Sequence, residues 1–245
     1  MGTPARRIQF SFCTGPGTID GMARYGQYCP ITRSLELLGD RWTLLIVRDL
    51  LVGAERFNEL ARGLPRLSRG LLSKRLDHLV RAGLVEHDDG RYHVTQAGEE
   101  LRPLVFGLAE WGARWAFGEP RPDELDATVL MWWIRGGIDA GAFGDRHRIV
   151  LQFRFAEGRR RVYWLFVTPT DVSLCFTDPG FDVDVDVAVG LDVLYQVWEG
   201  RIEYGRAVRD RLLVVTGEKS LVRALPRALQ FSPVAPYVRR AAALG

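Results

Sequence analysis

The sequence predicts a mixed chain of two domains: a mainly α first half that carries one two-stranded hairpin, and an α+β second half. Three observations point there. At 245 residues the chain exceeds the roughly 100–200 residues of a usual domain. Apolar residues recur at helical spacing as far as about residue 117, and with period two beyond about residue 124. Between the two regimes lies FGEPRPDELD, whose two prolines and four acidic residues mark a linker. The expected layout is a loose tail over 1–23, a first domain over 24–117, a linker over 118–124 and a second domain over 125–245.

The first domain opens with CPITRSLELLG, where Pro30 suits a first helical position and Gly39 ends the helix. Asp40 is the expected cap of RWTLLIVRDLL, whose Trp42, Leu45, Ile46 and Leu50 share one side, and Gly53 stops it. RFNELARGL turns Phe57 and Leu60 inward and ends near Gly63 and Pro65. Ser68 then caps a fourth helix, on which Leu72, Leu76, Leu79 and Val80 gather opposite Gly70, Lys74, Asp77 and Arg81. Gly83 breaks it. Leu84–His87 and Arg91–Val94 read as strands joined through Asp89-Gly90, and Thr95 begins a closing helix to about Phe117, with Leu101, Leu104, Val105, Leu108, Trp111 and Trp115 along one side. Three helices, a two-stranded wing and a closing helix make a winged helix-turn-helix.

In the second domain the strand candidates are Arg148–Phe155, Val162–Val167, Val172–Phe176, Asp182–Val187 and Leu212–Val215, with helices near 125–134, 190–198, 203–210 and 218–229. Leu151 and Phe153 share one strand face, as do Trp164 with Phe166 and Leu174 with Phe176. Together with Trp198 they are the candidate lining of an apolar ligand site, the alternative being that they simply pack a core. In FDVDVDVAV the alternation puts Asp182, Asp184 and Asp186 on one face, expected to be solvated; a calcium site needs a loop of converging oxygens instead.

Much chemistry is missing. Cys13, Cys29 and Cys175 make no CxxC pair, and the four histidines have no metal-ligand spacing, so neither a disulfide framework, a zinc site nor any cofactor is expected. No GxSxG elbow and no GxGxxG fingerprint occurs, and TGEKS lacks the Gly-Lys pair of a phosphate loop; no enzymatic activity is expected. No apolar run approaches the ~18 residues of a membrane span, and MGTPARRIQFSFCTG has no signal-peptide core, which leaves the cytoplasm as the expected location.

What is present is charge in one place. The net charge of +3 comes wholly from residues 1–118, with 16 Lys+Arg against 13 Asp+Glu, since 119–245 hold 17 of each. Residues 56–81 carry seven basic and two acidic side chains, the density of a nucleic-acid footprint. A recognition helix meets base edges near its N-terminus, which nominates Ser68, Arg69, Ser73 and Lys74, with Arg75 on the flank. Arginine pairs with guanine and serine serves base or phosphate, while Lys74 suits a phosphate. At the wing tip two carboxylates would face a polyanion, leaving Arg91 as the wing's candidate contact.

RYGQYCPITRSLELLGDRWTLLIVRDLL, RFNELARGLPRLSRGLLSKRLDHLVRAGLV and YHVTQAGEELRPLVFGLAEWG together resemble the HxlR family of bacterial transcriptional regulators over about residues 24–115. The resemblance implies a homodimer on a two-fold operator in double-stranded DNA, with the terminal helices as its interface. The wing here is shorter and more acidic than the family's. Relatives commonly begin shortly before the CP motif, which makes Met22 a second candidate start beside Met1. Cys29 matches a cysteine that some relatives use to sense oxidants or electrophiles, and its place at a helix N-terminus with Arg33 one turn on favours a lowered thiol pKa, so it stands as a candidate redox sensor. The second half, through FDVDVDVAVGLDVLYQVWEGRIEYGRAVRDRLLVVTGEKSLVRALPRAL, resembles the sterol carrier protein fold over about 125–235, which implies an apolar tunnel for fatty acyl chains or sterols. The combined expectation is a regulator modulated by a hydrophobic small molecule or lipid. Two alternatives stand beside it: a regulator whose second domain is a ligand-free dimerisation or docking module, and a lipid carrier.

Overall fold

The structure is a computed structural model, and residues 25–156, 158 and 161–243 are described. The expected tail over 1–23, with Cys13 and the two candidate starts, lies outside them. The chain forms two compact units, one up to Val105 and one from Phe106 onward.

The first unit contains α1 (Pro30–Leu38), α2 (Thr43–Leu51), α3 (Phe57–Gly63), α4 (Arg69–Arg81), a hairpin of β1 (Val85–Asp88) and β2 (Arg91–Val94), and α5 (Gln96–Glu99). Its core is built from the apolar side of each helix: Ile46, Leu60, Leu72, Leu76 and Leu79 are fully buried. Burial of a leucine or isoleucine side chain contributes about 1.5–3 kcal/mol, so α4 is held chiefly by its three fully buried leucines. The end of α4 is set by Gly83, whose φ of 67° lets its own N–H reach the Val80 carbonyl while Leu84 N–H reaches Leu79. One residue later the wing begins. Its antiparallel register runs from Val85↔Val94 to Asp88↔Arg91, and the turn needs positive φ at both central positions, which Asp89 (45°) and Gly90 (69°) supply.

Two expectations change here. Asp40 does not cap α2: the N-cap is Trp42, at φ 82°, and the Asp40 carboxylate is drawn to Arg75 of α4 instead. The closing helix is not continuous. Thr95 caps the short α5, accepting from Gly98 N–H at 3.2 Å, and a new helix, α6 (Arg102–Trp115), starts after a break. Pro103 explains the restart, because it has no N–H to give the Glu99 carbonyl and is suited only to a first turn. On α6 Val105 and Phe106 are buried, whereas Leu104 (49%), Leu108 (47%), Trp111 (60%) and Trp115 (69%) stay exposed along one stripe.

The second unit continues with α7 (Ala127–Gly136), β3 (Ile149–Phe155), β4 (Val162–Val167), β5 (Val172–Cys175), β6 (Val185–Val189), α8 (Leu191–Trp198), α9 (Tyr204–Arg209), β7 (Leu213–Gly217), α10 (Lys219–Ala228) and α11 (Ala235–Ala242). The sheet order is β5-β4-β3-β6-β7, antiparallel throughout except for the parallel pair β3/β6. Leu151, Phe153, Leu165, Val187 and Leu213 pack one sheet face against Leu130, Met131 and Ile134 of α7 and Leu225 of α10. The strand expected at Asp182–Val187 is instead Val185–Val189. The alternating pattern begins earlier than the pairing does, since the ladder with β3 starts at Leu151↔Val185.

The acidic face is not merely solvated. Asp186 accepts two hydrogen bonds from the Arg154 guanidinium and one from Gln152, and Asp184 accepts from Val150 N–H at 2.8 Å. The Arg154 hydrogen bonds hold the Asp186 carboxyl below its ordinary pKa.

Candidate nucleic-acid interface

The start of α4 is built by its N-cap. Ser68 has extended backbone, and its Oγ accepts from Leu71 N–H at 3.3 Å, satisfying one donor of the first turn. The next residue is clamped from α3: Arg69 Nη2 donates to Asn58 Oδ1 at 2.7 Å, and its guanidinium lies 4.9 Å from the Phe57 ring centre. Arg69 is therefore an exposed cation held in one orientation, with little rotamer entropy left to lose on contact. Ser73 and Lys74 are exposed one turn on, directly behind the buried Leu72. All four are exposed at the start of α4.

Arg75 differs. Its guanidinium pairs with Asp40, the two side chains being 21% and 27% exposed, so its charge is spent inside the unit. The wing residue Arg91 is also partnered: Nη1 donates to Glu55 Oε2 at 2.9 Å. Tyr92 N–H donates to the Glu55 carbonyl at 2.7 Å, and the His87 and Tyr92 rings stack at 4.2 Å. The wing is thus stitched to the segment between α2 and α3, with Asp88 and Asp89 exposed at its tip. Sequence reasoning missed Asn58, Glu55 and Asp40, the side chains that orient the three arginines. Glu59 carries the one local signal, as its Oε2 accepts from Glu55 and Arg56 N–H, both at 3.0 Å, in the manner of a helix-start box.

At the other end of the unit, Cys29 is the N-cap of α1, and the first-turn amides of Thr32 and Ile31 lower its thiol pKa. Arg33 takes no part in this: its guanidinium pairs with Glu36 at 3.0 Å.

In the second unit the seven nominated apolar residues do not share one face. Leu151 and Phe153 point into the core, Leu174 lies across from Leu165, Trp198 is buried, and Phe176 packs edge-on to Tyr163. Trp164, across from Gln152, and Phe166, across from Val150, lie on the opposite face, and Phe166 packs on Phe181 at 5.5 Å. The core leaves a cavity of only about 10 Å³ beside Phe153 and Trp198, room for at most one water. A larger groove, about 560 Å³, opens on the surface between α9, β7 and α10. Among the described residues no cluster of His, Cys, Asp and Glu suits a metal, and no helix is long and apolar enough to cross a membrane.

Residues 37–119 match the HxlR-like helix-turn-helix family model. YvaP of Bacillus subtilis, an uncharacterized HTH-type transcriptional regulator, is 34% identical over 97 residues, which cover 36% of this chain and 90% of YvaP. The chain belongs to the HxlR-like helix-turn-helix family. Rv3095 of Mycobacterium tuberculosis, an uncharacterized HTH-type transcriptional regulator, is 39% identical over 100 residues, 38% of this HxlR-like chain and 61% of that relative. The chain thus spans under two thirds of the mycobacterial relative's length. Among solved structures, Sterol Carrier Protein 2 from Yarrowia lipolytica in its apo form is 16% identical with a TM-score of 0.33, covering 45% of this chain and 97% of that one.

Proposed function

We propose that this HxlR-like chain acts as a homodimeric transcriptional regulator that seats α4 in the major groove of operator DNA. The observation that carries this reading is the exposed start of α4: Ser68, Arg69, Ser73 and Lys74 all face solvent there, while Leu72 and Leu76 are buried. A helix presented this way fits a groove about 12 Å wide, with Arg69 suited to guanine and Lys74 to phosphate. Residues 24–117 act together in this, the exposed stripe of Leu108, Trp111 and Trp115 on α6 being the surface that a second copy would cover. Arg75 and Arg91 enter as supports that hold α4 and the wing in place, and Arg91 contacts DNA only on exchanging Glu55 for a phosphate.

The second unit is the input. The groove between α9, β7 and α10 favours an apolar small molecule, whose binding would bias the dimer between operator-competent and incompetent arrangements; that requires different affinities for the two. The tight core, with its cavity of about 10 Å³, favours instead a ligand-free docking module. Mass spectrometry of extracts from the purified chain separates the two: a stoichiometric co-purified apolar compound that changes operator affinity when restored is expected. No such compound, together with operator affinity indifferent to added apolar molecules, leaves the docking module.

A further inference from the structure

Resting on the reading that the chain binds operator DNA, we propose that the second unit adds a DNA contact of its own, with the exposed side of α10 laid along the phosphates of the duplex. Lys219, Arg223 and Arg227 recur every fourth residue, so they form one column on the helix, and all three are exposed. The opposite side is apolar, with Leu221, Ala224, Leu225 and Ala228 buried in the core. The groove takes a third strip of the same helix, Val222 and Pro226.

Helix stability does not account for the column. Like charges four residues apart repel, no acidic residue lies within α10 to offset them, and Lys219 sets a cation at the end of a helix that favours anions. On other helices Arg33 pairs with Glu36, Arg102 with Glu99, Arg206 with Asp210 and Arg240 with Glu110. Lys219, Arg223 and Arg227 have no such partner among the described residues. The carboxylate next to them in the chain is already taken, as Glu218 is paired with Arg146 and accepts from Ser220 Oγ.

The partner that fits is a polyanion of regular spacing. At a rise of about 1.5 Å per residue the column spans about 12 Å, and a DNA strand carries one charge about every 3.4 Å of axis, so three or four phosphates of one strand match its length. A helix lying in a membrane surface would expose large apolar side chains beside its cations, and α10 exposes none. The column holds no aromatic ring on which a base could stack, so it adds affinity without sequence preference.

The chain has two lysines, Lys74 on α4 and Lys219 on α10, so amine acetylation read by peptide mass spectrometry reports on the two surfaces separately. The probe for the full chain is a mixed-sequence duplex of about four helical turns at low salt. Both lysines are expected to lose reactivity on the duplex, and Lys219 to keep it on phosphatidylglycerol vesicles. Lys219→Gln, Arg223→Gln and Arg227→Gln together should flatten the plot of log affinity against log salt by about 2.7 per chain, roughly 6.5-fold for each doubling of salt, with base preference unchanged. The matched charge loss in Arg206→Gln, Arg209→Gln and Arg240→Gln should leave the slope as it is, since these three are already paired with acids. Lys219 equally reactive with and without duplex while Lys74 is protected, or an unchanged slope in the α10 variant, overturns the contact and leaves the α4 reading standing. An equal loss of slope in both triple variants overturns it too, by assigning the effect to net charge. Protection of Lys219 by the vesicles but not by the duplex gives the column to a lipid surface instead. Failure of the chain to bind any duplex removes the operator reading beneath it.

Discussion

Lys74 and Arg75 are adjacent on α4 but should fail in opposite ways. Lys74 is exposed, so on the proposed reading Lys74→Ala removes a phosphate contact and little else; Arg75 is bound to Asp40, so Arg75→Ala removes an internal brace. Each phosphate contact steepens the dependence of log affinity on log salt by about 0.9, which over a fourfold rise in salt is roughly 3.5-fold in affinity. The proposed dimer would lose two contacts, so Lys74→Ala should flatten the slope by about 1.8, or roughly twelvefold across the same range. Its stability should stay within about 0.5 kcal/mol of wild type, as for other surface changes. Arg75→Ala should leave the slope unchanged and cost about 1–2 kcal/mol, because it strands a carboxylate that is three-quarters buried. Fluorescence anisotropy on a labelled duplex at several salt concentrations gives the slopes, and urea unfolding gives the stabilities. The assignment is refuted if Arg75→Ala flattens the slope while Lys74→Ala does not.

Trp111→Glu places a charge on the exposed stripe of α6 without touching the core, and light scattering should report a dimer becoming a monomer; an unchanged dimer would move the interface elsewhere. The first-turn amides that lower the Cys29 pKa should make its alkylation by iodoacetamide, followed by peptide mass spectrometry, reach half its maximal rate below the ordinary thiol value of about 8.5; a midpoint at or above it would contradict this. Asp186 has a folded-state pKa lowered by Arg154, so its stabilisation is present above the ordinary carboxylate value, about 3.9, and is lost as pH falls through the lowered one. The stability gap between wild type and Asp186→Asn should therefore hold from neutral pH to about 4 and shrink below it; a gap that closes between pH 7 and 5 would assign the effect to another group.

The parts of the fold visible in the sequence are those set by local chemistry. Gly83 and Gly90 mark the end of α4 and the turn of the wing because few other residues tolerate their φ, and the Leu72, Leu76, Leu79 spacing marks the buried side of α4. Asp40 was misread because its N-cap signal is local while its actual partner, Arg75, lies 35 positions along the chain on another helix. Arg91 is similar: the hydrogen bond to Glu55 spans 36 positions. The late start of β6 follows from where its ladder with β3 begins, at Leu151↔Val185, which alternation in the acidic segment cannot report. The groove was hidden for the same reason, as four separate elements bring Tyr204, Val215, Val222 and Arg239 together.

Selection from a pool of random-sequence duplexes, using the full chain at physiological salt, tests most directly whether α4 reads operator DNA in a symmetric dimer. A two-fold symmetric motif with half-sites about one helical turn apart, or a multiple of it, is predicted, and Arg69→Ala should relax the preference at one base of each half-site. Recovery of no motif, or of one unaffected by Arg69→Ala and Ser73→Ala together, would contradict it.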